Sequence, residues 1–132
     1  MRPQPLIAVR DVEQSSRWYQ MLLGCKSGHG GDLYEQLVVG DQMVMQLHKW
    51  GDHDHPNLSN PDAAPHGFGM LLWFETDQFD NALSRVRELK AEIIEEPHIN
   101  PNAKHREVWI RDLDGYVVVL ASPYGDTGTV SP

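Results

Sequence analysis

Apolar and polar positions along this chain follow two periods, and the places where one gives way to the other mark its elements. Leu6-Ile7-Ala8-Val9 is a short apolar segment that ends at Asp11 and reads as a strand. Over residues 12–23 the spacing changes, and Val12, Trp18, Tyr19, Leu22 and Leu23 fall mostly on one helical face. Asp11 is the expected N-cap, Gln14 its capping-box partner and Gly24 the C-terminal stop. Strand-like pieces follow at residues 25–29, 33–39 and 42–48, the last two joined by a Gly40-Asp41 turn. The first half is therefore β-α-β-β-β.

Residues 50–66 have no such period. Three prolines, three histidines (His53, His55, His66), three aspartates and two asparagines mark them as a connector. The order then repeats. Residues 68–75 read as an apolar strand, and residues 78–89 as a helix with Phe79, Ala82, Val86 and Leu89 inward. Residues 92–95 read as a short strand, and residues 105–122 (HREVWIRDLDGYVVVLAS) as a hairpin of two strands, 106–111 and 116–121. Asp112-Leu113-Asp114-Gly115 supplies its turn, because Gly tolerates positive φ and Asp can bond its own backbone. Residues 123–132 read as a loose tail.

Spacing supports an internal repeat. Asp11 to Gly24 and Gln78 to Ala91 are both 13 residues, an offset of 67, and Gln46-Leu47 falls opposite Val119-Leu120 at an offset of 73. The expected organisation is one domain over 1–122, with a first module at about 4–49, a connector at 50–66 and a second module at about 67–122.

Composition narrows the function classes. Eleven Lys and Arg against nineteen Asp and Glu give a net charge of −8, which repels phosphate backbones and disfavours nucleic acid as a partner. A single cysteine, Cys25, allows no intrachain disulfide and fits a reducing compartment. No apolar run approaches the ~18 residues a membrane span needs. MRPQPLIAVRD lacks the apolar core and cleavage site of a signal peptide. The expectation is a cytoplasmic chain with no membrane partner.

The duplicated unit, its opening Val9-Arg10-Asp11 through Ser16-Arg17-Trp18-Tyr19 to Leu22-Leu23-Gly24, and Arg111-Asp112-Leu113-Asp114-Gly115 near its end resemble the vicinal oxygen chelate superfamily. That group includes glyoxalase I, ring-cleaving dioxygenases and bleomycin-resistance proteins, and the resemblance covers residues 4–122. It implies an α+β fold of two tandem βαβββ modules that form incomplete barrels around a central cleft, in a homodimer. Metal-dependent members carry ligands on the first and last strand of each module. The first lies seven residues before the helix-capping position, which here gives Gln4 and Leu71. The last falls four residues after the turn Gly115, at Val119, with Gln46 as its repeat partner. Leu and Val offer no lone pair and an amide oxygen is a poor substitute for His or carboxylate, so no metal or other cofactor is expected.

Strand alternation then places Leu6, Ala8, Arg10, Val44 and His48 with the two glutamines, and Trp73, Glu75, Val117 and Ala121 with Leu71 and Val119. Glu107, Trp109 and Arg111 point the same way. Gln4, Gln46, His48, Leu71, Trp73, Trp109 and Val119 become the candidate ligand-binding residues, with the two tryptophans for stacking; the same rings could equally fill a barrel interior. His48 and Glu75 are the candidate acid–base groups, against a bland reading in which both simply end their strands in water. Asp52, His53, Asp54, His55 and His66 have ligand-type side chains, but a polar loop of this kind is usually solvated. His98 and His105 read as surface residues. Cys25 follows a helix C-terminus, where the dipole disfavours a thiolate, and is not read as a nucleophile.

The expected function is a metal-independent protein that binds a small apolar or aromatic organic molecule in the inter-module cleft. The alternative is a glyoxalase-like lyase or isomerase, or a dioxygenase-type metalloenzyme with a relocated metal. A third reading is a structural domain whose cleft is filled by its own side chains.

Overall fold

The computed structural model of the protein describes residues 2–52, 54–63 and 67–128. The chain divides into two compact units, Met1–His66 and Gly67–Pro132. The first runs β1 (Leu6–Val9), α1 (Val12–Leu23), β2 (Lys26–Ser27), β3 (Tyr34–Val39), β4 (Gln42–Lys49). The second repeats this as β5 (Leu72–Glu75), α2 (Phe79–Glu88), β6 (Glu92–Asn100), β7 (His105–Arg111), β8 (Val117–Ala121). Each unit builds an open four-stranded sheet, β1-β4-β3-β2 and β5-β8-β7-β6, whose first strand runs parallel to its last while the other pairs are antiparallel. The α+β class with two β-α-β-β-β modules is as expected. The register matches too: Leu6 lies opposite Gln46 and Trp73 opposite Val119, the same offsets of 67 and 73 that align the two copies in sequence.

Local chemistry accounts for the helices. Asp11 accepts a hydrogen bond from the Gln14 backbone N–H at 3.0 Å, and Gly24 closes α1 at φ 68°, where only glycine is unstrained. In α2 the buried stripe is Phe79, Ala82, Leu83 and Val86, while Leu89, expected inward, is the half-buried C-cap. Ile7, Val9, Leu37, Met45 and Leu47 are the buried sheet residues beneath α1; Leu72, Val108, Ile110, Val118 and Leu120 are those beneath α2. Among the described residues, no helix is long and apolar enough to cross a membrane.

Four expected elements differ. The strand expected over 68–75 begins only at Leu72, because Gly67 and Gly69 take positive φ and turn the chain. The strand expected over 25–29 shrinks to two residues, Gly30 and Gly31 leading into a turn. Conversely, β6 runs on through Pro97 to Asn100, because it is an edge strand whose outward N–H groups need no partner. The tail expected from 123 is tied down over residues 123–128. Gly125 N–H donates to Lys104 O at 2.7 Å, and Asp126 accepts from the Arg106 guanidinium at 3.0 Å.

Each unit buries a charged side chain beneath its helix. In the first, Glu35 is 3% exposed and accepts from the Ser16 and Ser27 hydroxyls, both at 2.7 Å, and from the backbone N–H of His29, Gly30 and Gln36. Burial pushes its carboxyl up, but the hydrogen bonds from Gly30, Ser27, Ser16 and Gln36 outweigh that and hold it below the usual range. In the second, Arg106 lies over the Phe79 ring and donates to Asp80 at 2.9 Å and to Asp126.

Candidate functional site

On the face of the first sheet away from α1, alternation brings Tyr34, Gln36, Gln46 and His48 together, with Tyr34 opposite His48 and Gln36 opposite Gln46. The polar groups there are engaged with one another. Tyr34 O–H donates to Gln46 Oε1 at 2.5 Å, Gln36 Nε2 donates to the Tyr34 hydroxyl at 3.1 Å, and Gln46 Nε2 donates to the Gln4 carbonyl at 2.9 Å. Gln4 itself is exposed and precedes β1. His48 Nδ1 lies 2.8 Å from the Lys49 carbonyl, so that nitrogen carries a proton, and Nε2 faces Asp52 Oδ2 at 3.5 Å. These two line an open hollow of about 380 Å³ with Leu33, Lys49, Trp50 and Gly51. Asp52 also lies 3.8 Å from His55, whereas His53 and His66 of the expected loop cluster lie outside the described residues.

The face of the second sheet away from α2 is different in kind. One cross-strand row is Trp73, Val119, Trp109 and Glu95; the next is Glu75, Ala121, Glu107 and His98. Val119 is fully buried, and Trp73 remains 44% exposed beside the His105 ring, with centroids 5.7 Å apart. Trp109 donates its indole N–H to Glu107 Oε2 at 2.7 Å. The other oxygen of Glu107, a residue only 1% exposed, faces His105 Nε2 at 3.5 Å and His98 Nε2 at 3.7 Å. Leu71, exposed, stands just ahead of β5.

Trp73, Trp109 and Val119 thus share one neighbourhood in the second unit, and Gln4, Gln46 and His48 another in the first. Glu75 is exposed at the end of β5. The expectation of a surface residue is corrected for His105, which is buried; His98 stays partly exposed, its side chain at 38%, and the continuation of β6 pairs it with Glu107. Stepping back by twos from Trp109 through Glu107 leads to His105, so the buried histidine was accessible to alternation; the extension of a strand through Pro97 was not. Cys25 is buried, which pushes its thiol up to about 11.

The four positions where the resemblance puts metal ligands carry two aliphatic side chains, one exposed amide and one amide whose oxygen already accepts from Tyr34. That donor set does not fit a divalent ion. Among the described residues, no three His, Cys, Asp or Glu side chains are arranged to hold one.

The model of the Glyoxalase/Bleomycin resistance protein/Dioxygenase superfamily matches residues 3–120. The chain belongs to that superfamily. No curated protein sequence matches it. Solved structures share its fold at low identity. A glyoxalase/bleomycin resistance protein/dioxygenase family enzyme from Burkholderia phytofirmans PsJN has a TM-score of 0.73 at 17% identity, over 90% of this chain and 95% of that one. Lactoylglutathione lyase from Agrobacterium tumefaciens has a TM-score of 0.70 at 19% identity, over 92% of both chains. TioX from Micromonospora sp. ML1 has a TM-score of 0.68 at 15% identity, over 92% and 98%.

Proposed function

We propose that this superfamily member is a metal-independent small-molecule-binding protein, a homodimer that takes an apolar or aromatic compound. The observation that carries the reading is Trp73, 44% exposed on a sheet face and flanked in register by Val119 and Trp109. An exposed indole beside a fixed apolar floor is a stacking platform, and the neighbouring carboxylate and imidazoles supply orientation. Titrating flat aromatic compounds while following tryptophan fluorescence and melting temperature tests this. A saturable response is expected, with affinity falling about tenfold in Trp73→Ala, the scale of one aromatic contact. No saturable response across a broad panel would refute the reading. Light scattering on the purified protein checks the dimer.

A second reading, a lyase or isomerase, draws on Glu107 between two imidazoles, the kind of pairing that moves a proton. Turnover of a carbonyl substrate that is lost in His105→Ala while aromatic binding persists would favour it over sequestration.

A further inference from the structure

On the sheet face of the second unit, two carboxylates and two imidazoles converge. His98 Nδ1 lies 2.7 Å from the Glu96 carbonyl, which can only accept, so Nδ1 holds a proton and Nε2 presents a lone pair whenever the ring is neutral. That lone pair faces two carboxylates, Glu95 Oε1 and Glu107 Oε1, each at 3.7 Å. His105 brings its own Nε2 to 3.5 Å from the same Glu107 oxygen. The His105 side chain is 10% exposed, and its Nε2 has no hydrogen-bond partner. Glu107 is anchored by the Trp109 indole N–H through its other oxygen, which leaves Oε1 directed at the imidazoles.

The immediate surroundings of the cluster are acidic. Glu75 stands in register with Glu107 across the small Ala121, and Glu95 lies in the row with Trp109. The basic residue on this face, Arg111, lies at the end of β7, where it donates to the Gly115 carbonyl at 3.1 Å and sits 3.9 Å from Glu92. Beside the His105 ring lies Trp73, whose π-face attracts positive charge.

We propose that this face recognises a basic nitrogen attached to an aromatic or apolar body, an arylalkylamine in class. The ammonium donates to Glu107 Oε1 and to the His98 Nε2 lone pair, and the body of the ligand lies on Trp73. This inference rests on the small-molecule reading above and narrows its ligand class.

The test compares three probes of one shape on the full chain at neutral pH: 2-phenylethylamine, 2-phenylethanol and 3-phenylpropionate, each followed by tryptophan fluorescence. The amine is expected to bind about tenfold more tightly than the alcohol, the scale of one charge-assisted hydrogen bond, and the acid more weakly than both. Glu107→Gln is expected to reduce the amine-to-alcohol ratio to near one. His98→Ala, at a partly exposed position on an edge strand, provides the same readout with a smaller drop if the Glu107 variant fails to fold. Equal binding of amine and alcohol, or preference for the acid, overturns the inference and leaves the small-molecule reading standing. A response to Zn²⁺ with none to the amine also overturns it. No saturable response to any of the three organic probes, in a protein that does bind larger flat aromatics, again removes only the amine; silence toward both removes the two together.

Discussion

The two units share strand order and register, yet their sheet faces differ in how completely the polar groups are matched. In the first, Tyr34, Gln36, Gln46 and the Gln4 carbonyl form a chain of direct hydrogen bonds, and the carboxylate that meets two imidazoles, Asp52, lies beyond the sheet in the loop. In the second, Glu107 meets two imidazole nitrogens at 3.5 and 3.7 Å, and His105 Nε2 has no partner. The helix-side anchors differ as well. Glu35 is a buried acid held by neutral donors, whereas Arg106 is a buried base held by carboxylates. A repeated backbone fixes which way side chains point; it leaves the chemistry at each position free.

The largest expected effect is at Glu35. Glu35→Ala strands buried hydroxyl and N–H donors together and should cost the first unit about 3–5 kcal/mol, read from urea unfolding with residue-resolved NMR assigning the loss to that unit. Equal losses in both units would break the comparison. Arg106→Ala should destabilise the second unit by about 2–3 kcal/mol, less because Asp80, 77% exposed, regains water when released.

Acid sharpens the contrast. The folded Glu35 carboxyl is lowered, so its contribution is present above the unfolded value of about 4.3 and is lost as pH falls through the folded value. Asp126 is lowered chiefly by its hydrogen bond from Arg106 and follows the same sign. Because the Asp126 side chain is 37% exposed whereas Glu35 is 3% exposed, added salt should weaken the share of Asp126 and leave that of Glu35. Melting temperatures between pH 6 and 3, with and without 0.5 M salt as about the screening needed, should show Glu35→Gln losing the salt-independent part. The smallest effect concerns Cys25. With its thiol pushed up to about 11 by burial, alkylation at pH 8 should run on the order of a hundredfold slower than in urea. Rapid labelling of the native protein would contradict its buried position.

Much of the frame was legible in the sequence because it rests on local signals. The Asp11 and Gly24 caps bound α1, and the Asp112–Gly115 turn is closed by Asp112 Oδ1 accepting from Asp114 and Tyr116 N–H. Offsets read from spacing reappear as the strand register. The chemistry of the site was less legible. Trp73, Trp109 and Val119 follow from alternation, but the role of Glu107 depends on His98, and His98 reaches it only because an edge strand tolerates Pro97. Arg106 and Glu35 were missed because their partners, Asp126 and Ser16, lie 20 and 19 residues away. No local pattern encodes such distances.

The irregular course of β6 has one more consequence. It forms the rim of its sheet, with Pro97 in mid-strand and breaks in pairing between Ile93 and Glu95 and between Glu95 and His98. A straight rim nine residues long would be a template for fibril growth or for zipping onto a neighbour. Here the missing amide hydrogen, the kinks and the carboxylates of Glu92, Glu95 and Glu96 refuse that addition. The irregular pairing that sets His98 opposite Glu107 therefore also blunts this edge of the sheet.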